Sequence, residues 1–143
     1  MDLAIGVVRG RVTDQTRFAL WVGRALSGLS LLFLAFDAAG KLLALPPVVR
    51  ATAELGFAAG DVTGIGAALA VCGLLYALPR TAPIGAVLLT GYLGGAVAAN
   101  VRIGAPFVSH TLFPVFFAAA VWLGLYLHDS RVRALVRQAR DDA

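Results

Sequence analysis

The sequence predicts an all-α integral membrane protein, a transmembrane four-helix bundle with a short amphipathic helix between its first and second spans. Three observations predict it. Hydrophobic residues fill 59% of the 143 positions and charged residues only 14%, against about a quarter charged in an ordinary soluble domain. The apolar residues are gathered into blocks too long for the buried helices of a small soluble globule. Turns rich in proline and glycine separate the blocks, as they separate neighbouring helices.

The first span runs from about Phe18 to Leu45 (18–45) and meets Pro46-Pro47, which lack the amide donors a continuing helix needs. The stretch Pro47 to Phe57 reads as a short amphipathic helix ending near Gly56. Val48, Ala51 and Leu55 recur at helical spacing, and Arg50 and Glu54 form an i,i+4 pair on another face. The second span is Val62 to Leu78 (62–78). It is closed by the turn Pro79 to Pro83, short enough to make spans two and three antiparallel neighbours. Ile84 to Val101 (84–101) is the third span, ended by Arg102 and Gly104-Ala105-Pro106. The fourth is His110 to Leu127 (110–127), leaving a basic tail from Asp129 onward (129–143). No repeat or second domain is evident, so residues 1–143 read as one membrane domain. Met1 to Val8 is too short for the apolar region of a cleavable signal, which predicts that the first span is retained.

Formal net charge is +4, yet seven of the twelve basic residues lie in the terminal segments: Arg9, Arg11, Arg17, Arg131, Arg133, Arg137 and Arg140. Positive charge flanking apolar blocks reads as membrane orientation and attraction to lipid headgroups, which argues against nucleic acid as a partner. Four crossings put both termini on one side. Together with Arg24 and Arg80 that side carries nine basic residues, against Lys41, Arg50 and Arg102 on the other, which predicts cytoplasmic termini. The single cysteine, Cys72, excludes a disulfide within the chain and reads as a small packing residue.

Small residues let membrane helices approach closely. Gly91 and Gly95 form a GxxxG spacing, and Gly66 with Ala70 a second small pair; close packing within the bundle is the preferred reading, with a docking seam for a second copy or a partner subunit as the alternative. Trp21, Tyr76, Trp122 and Tyr126 fall near span ends, as interfacial anchors do.

Charge placement points to a site. Between Arg24 and Asp37 stand only twelve uncharged residues, a helical length of ~18 Å against the ~30 Å of hydrocarbon a span must cross. Asp37 is too short to reach the surface, so its natural partner is Lys41, one turn on and on the same face. Asn100 and Arg102 end the third span and His110 begins the fourth, so these ends should converge on Asp37 and Lys41. Such a pocket could hold the polar head of an amphiphile, a carbonyl or anion meeting Lys41 or Arg102, with His110 and Asp37 able to move a proton. Each residue also has a plainer role: a neutral structural pair for Asp37 and Lys41, an interfacial anchor for Arg102, an interhelical hydrogen bond for Asn100, a helix entry for His110. No metal-ligand spacing, phosphate loop or nucleophile motif is present, so no catalytic residue or metal site is assigned.

The runs Leu32-Phe33-Leu34-Ala35-Phe36-Asp37-Ala38-Ala39-Gly40-Lys41, Leu74-Leu75-Tyr76-Ala77-Leu78-Pro79-Arg80, Leu88 to Arg102 and His110-Thr111-Leu112-Phe113-Pro114-Val115, taken in this order, resemble the DoxX-like family of small bacterial four-helix membrane proteins. The resemblance covers about Gly23 to Leu135. It implies the four-helix fold, a multi-pass place in the bacterial inner membrane, and an association with quinone-linked redox systems, either as a subunit that binds a quinone or similar amphiphile or as a structural partner in a redox complex. A small-solute or proton permease is the remaining alternative, disfavoured because the charges gather toward span ends. Asn100 departs from the histidine that the resemblance leads one to expect, which weakens proton-coupled catalysis here.

Overall fold

The computed structural model describes residues 2–141, with side chains from Arg17 to Asp141. The side chains of residues 1–16, including Arg9 and Arg11 of the charge comparison, lie outside the described residues. Described residues form helices and connecting turns, with no strand: α1 (Asp2–Leu42), α2 (Pro46–Glu54), α3 (Asp61–Ala77), α4 (Ala82–Arg102), a π-helical turn (Phe107–Thr111), α5 (Leu112–His128) and α6 (Ser130–Asp141).

Helix boundaries follow local backbone chemistry. α1 stops before the proline pair because Ala44 takes a left-handed φ of 46°, and the amides of Ala44 and Leu45 turn back to the carbonyls of Lys41 and Gly40, each at 3.1 Å. Pro46 and Pro47 then open α2, where a first turn needs no donors. α4 ends in the same way: Gly104 has φ 66°, and the Ala105 amide donates to the Asn100 carbonyl at 3.0 Å.

α1 packs against α3 and α5, and α4 packs against the same two, so α1 and α4 face each other across the centre. Leu34, Leu69, Leu89, Val121 and Leu125 form the core. Cys72 is partly buried against it, as a packing residue should be. Close approaches occur at Gly23, where a Cβ would lie 2.9 Å from the Gly124 carbonyl, at Gly66, 2.6 Å from the Lys41 Cβ, and at Gly85 against the backbone of Tyr76. Gly66 thus fulfils its expected role. Gly91 and Gly95 do not: a Cβ at either would meet nothing within 4 Å. The close packing expected of that pair within the chain is therefore absent, because both sit on the side of α4 turned away from Leu89 and Leu93.

Two more expectations need correction. Tyr76 is no interfacial anchor; it is 3% exposed, and its hydroxyl donates to the Val121 carbonyl at 2.9 Å. Arg50 does not pair with Glu54, its Nε donating instead to the Pro46 carbonyl. The basic tail is helix α6, anchored through buried Val132.

The outer surface is apolar. Phe18, Trp21, Leu29, Leu32 and Phe36 of α1 project outward, Phe36 being 80% exposed, a density of exposed large apolar groups that a water-facing monomer does not carry. Arg17–Leu42, Ala82–Arg102 and Phe107–His128 are long and apolar enough to cross a membrane; α3 is apolar but shorter, at 17 residues.

Candidate functional site

The C-terminal ends of α1 and α4, the start of α5, and α2 meet around a cavity of about 650 Å³. Its floor and walls are built from residues whose placement follows from helical register. On α1, Phe33, Asp37 and Lys41 succeed each other at four-residue intervals, so a single face brings an aromatic ring and two charges to the cavity. Lys41 Nζ donates to Asp37 Oδ1 in the predicted i,i+4 pair. The Lys41 side chain is 14% exposed and that of Asp37 33%. Such a pair lowers the cost of carrying either charge beside apolar walls while leaving part of the carboxylate open.

α5 contributes Phe113 and Phe117. Their rings and that of Phe33 form a closed trio with centroid separations of 5.6, 4.4 and 5.2 Å, distances at which ring quadrupoles attract. α2 and the Leu55 that caps its C-terminus cover the cavity, with Val48, Ala51 and Leu55 as the apolar stripe that their spacing announces. Thr52 is buried on the same element, and its hydroxyl donates back to the Val48 carbonyl at 2.8 Å. Gly91 and Gly95 line the opposite wall, where a missing side chain enlarges the space.

Of the five residues expected to converge, the structure brings only Asp37 and Lys41 to this cavity. Asn100 is buried, but its Nδ2 donates to the Ala96 carbonyl of its own helix at 2.8 Å, so it makes no bond across helices there. Arg102 reaches over α2 instead. Its Nη2 donates to the Leu55 carbonyl at 2.6 Å directly above Gly56, whose φ of 84° and lack of a Cβ leave room for the guanidinium. His110 is exposed on the π-helical turn, with Nδ1 2.7 Å from the Ser109 hydroxyl. Arg102 therefore acts as a tie from α4 to the cover, and His110 stands outside.

Tyr92 is the polar residue that sequence reasoning overlooked: it lines the cavity with Asp37 and packs against the core. The signal was its spacing, since Tyr92 and Ala96, one turn apart, both face the cavity.

A helical protein whose outer faces are this apolar, with three helices among the described residues long and apolar enough to cross a bilayer, is an integral membrane protein. The chain belongs to the DoxX-like family, whose sequence profile matches residues 25–124, from α1 through most of α5. Comparisons with curated proteins and with solved structures give no match.

Proposed function

We propose that this DoxX-like protein crosses the bacterial inner membrane four times and serves as an accessory or binding subunit that holds a quinone or similar amphiphile beneath α2. α3 supplies the remaining crossing. At 17 residues it extends ~25 Å, it packs between α1 and α4, and it turns Val71 and Leu74 outward, 57% and 62% exposed, where only lipid covers them at no cost. With four crossings the termini share the side of Arg24, Arg80 and α6, which the excess of arginine there assigns to the cytoplasm.

The observation that carries the reading is the cavity itself. Its volume of about 650 Å³ lies within the ~300–1,000 Å³ of small-molecule sites, and its lining is apolar and aromatic with one charged pair. Lys41 can donate to a carbonyl oxygen while Phe33 and Phe117 flank a ring, and the tail leaves along the apolar faces. Asp37 keeps Lys41 in place. Attachment to membrane redox chemistry follows if the head is a quinone.

The test is mass spectrometry of small molecules released from protein purified in mild detergent. The wild type should carry a quinone or comparable amphiphile, and Lys41→Met and Asp37→Asn should each lower its occupancy about tenfold, the effect of losing one charge-assisted contact. Equal retention in both variants would reject these contacts.

A further inference from the structure

α6 carries an apolar stripe that the described residues leave uncovered. Val132, Leu135, Val136 and Ala139 recur at i, i+3, i+4 and i+7 and so share one face. Val132 is 6% exposed and packs into the core, but Leu135 is 63% and Val136 50% exposed. The face thus runs outward from its packed end with none of the described residues over it. Arginines border it: in projection along the helix Arg131 falls on one flank, and Arg140, Arg133 and Arg137 follow one another from the other flank. Two of the four are used inside the protein. Arg131 binds Asp129 and the Pro79 carbonyl, and Arg133 Nη1 donates to the Leu127 carbonyl at 2.6 Å. Arg137 and Arg140 are exposed and pair with no carboxylate among the described residues.

The position of α6 fixes what this stripe meets. One residue, Asp129, separates it from α5, and its extended dihedrals (φ −100°, ψ 116°) break the helix axis. Arg131 ties the start of α6 to the turn between α3 and α4. α6 therefore begins where the apolar helices end, at the level of lipid headgroups.

We infer that α6 is a docking surface for an anionic bilayer: Leu135 and Val136 enter the boundary of the acyl chains, and Arg137 and Arg140 meet phosphate-bearing headgroups. Charge complementarity selects this occupant. A second copy of α6 laid on the same stripe would bring like-charged arginines together on both flanks, whereas an anionic leaflet neutralises them. This surface lies outside residues 25–124 matched by the family, and it does not depend on what the cavity binds.

The experiment uses the full chain with Cys72→Ala and Val136→Cys, labelled with an environment-sensitive fluorophore and placed singly in nanodiscs of phosphatidylcholine, with or without phosphatidylglycerol. The label should be buried and reached by quenchers attached to lipid in the anionic discs. Arg137→Gln with Arg140→Gln should lower the ratio of seated to lifted helix about 25-fold, each surface arginine being worth roughly fivefold on such a leaflet. Arg137→Lys with Arg140→Lys should keep the seat, which separates loss of charge from loss of folding. Burial that is the same in both lipids and indifferent to the glutamine pair overturns the inference. Burial found only when a disc holds two copies also overturns it and assigns the stripe to a second chain.

Discussion

Ser27 on α1 and Tyr76 on α3 share a buried hydrogen bond of 2.8 Å, and the Tyr76 hydroxyl donates a hydrogen bond of its own to the Val121 carbonyl of α5 at 2.9 Å. Because the phenol has one proton and spends it on the carbonyl, the serine must be the donor in the first bond. One chain of two bonds therefore links three helices.

Tyr76→Phe should lower stability by about 1 kcal/mol, the scale of side-chain hydrogen bonds between membrane helices. Phenylalanine fills the same volume, so the loss reports the bonds and not a void. Unfolding of the purified protein, followed by loss of helicity against denaturing detergent, measures it. A change indistinguishable from zero would show that Ser27 and Val121 find other partners.

Glycines that look alike in sequence should respond in opposite ways. A Cβ at Gly85 would run into the backbone of Tyr76, whereas at Gly91 and Gly95 it would enter open space. Gly85→Ala should thus cost roughly 1–3 kcal/mol, because α3 and α4 must move apart. Gly91→Ala and Gly95→Ala should be neutral or stabilising by up to about 1 kcal/mol through helix propensity, while narrowing the cavity. The same unfolding titration on the three variants decides this. Destabilisation by Gly91→Ala as large as by Gly85→Ala would require a packed partner at that face.

These contrasts show what the amino-acid order discloses. Long apolar blocks and their proline and glycine boundaries are visible because chain composition and backbone stiffness act locally. The pairing of Asp37 with Lys41 and the inner stripe of α2 are visible for the same reason, both being matters of register within one helix. The convergence of Asn100, Arg102 and His110 is not. Two positions turn a helix by about 200°, so Asn100 and Arg102 cannot serve one pocket, and the length of the Arg102 side chain let it bridge to Leu55. Tyr76 stands near a span end as an interfacial anchor would, but it recurs with Val62, Gly66 and Leu69 on the buried face of α3, and that register sets its place. In α6 the high arginine content hides a short apolar stripe that only the helical register brings together.

Asp129 makes the attachment of α6 sensitive to acid. Its carboxylate accepts the Arg131 amide at 2.8 Å in the manner of a helix cap, and its other oxygen receives Arg131 Nη2 at 2.8 Å. The hydrogen-bonded guanidinium, helped by the amides of Arg131 and Val132 and opposed by partial burial, holds this carboxyl below its ordinary range. A carboxylate whose proton affinity falls on folding stabilises the fold above its unfolded pKa, ~4, and that contribution disappears as pH drops through the lower folded value. Wild type should therefore melt at a higher temperature than Asp129→Asn by a constant margin from pH 5 to 8, a window set well above both values. The margin should shrink below about pH 4 and vanish in stronger acid, where both proteins carry a neutral side chain. Melting curves of the two proteins across this range measure the difference. A margin that survives unchanged into strong acid would mean that it does not come from the charge of Asp129, and so that the ionised pairing with Arg131 is not what holds α6 in place.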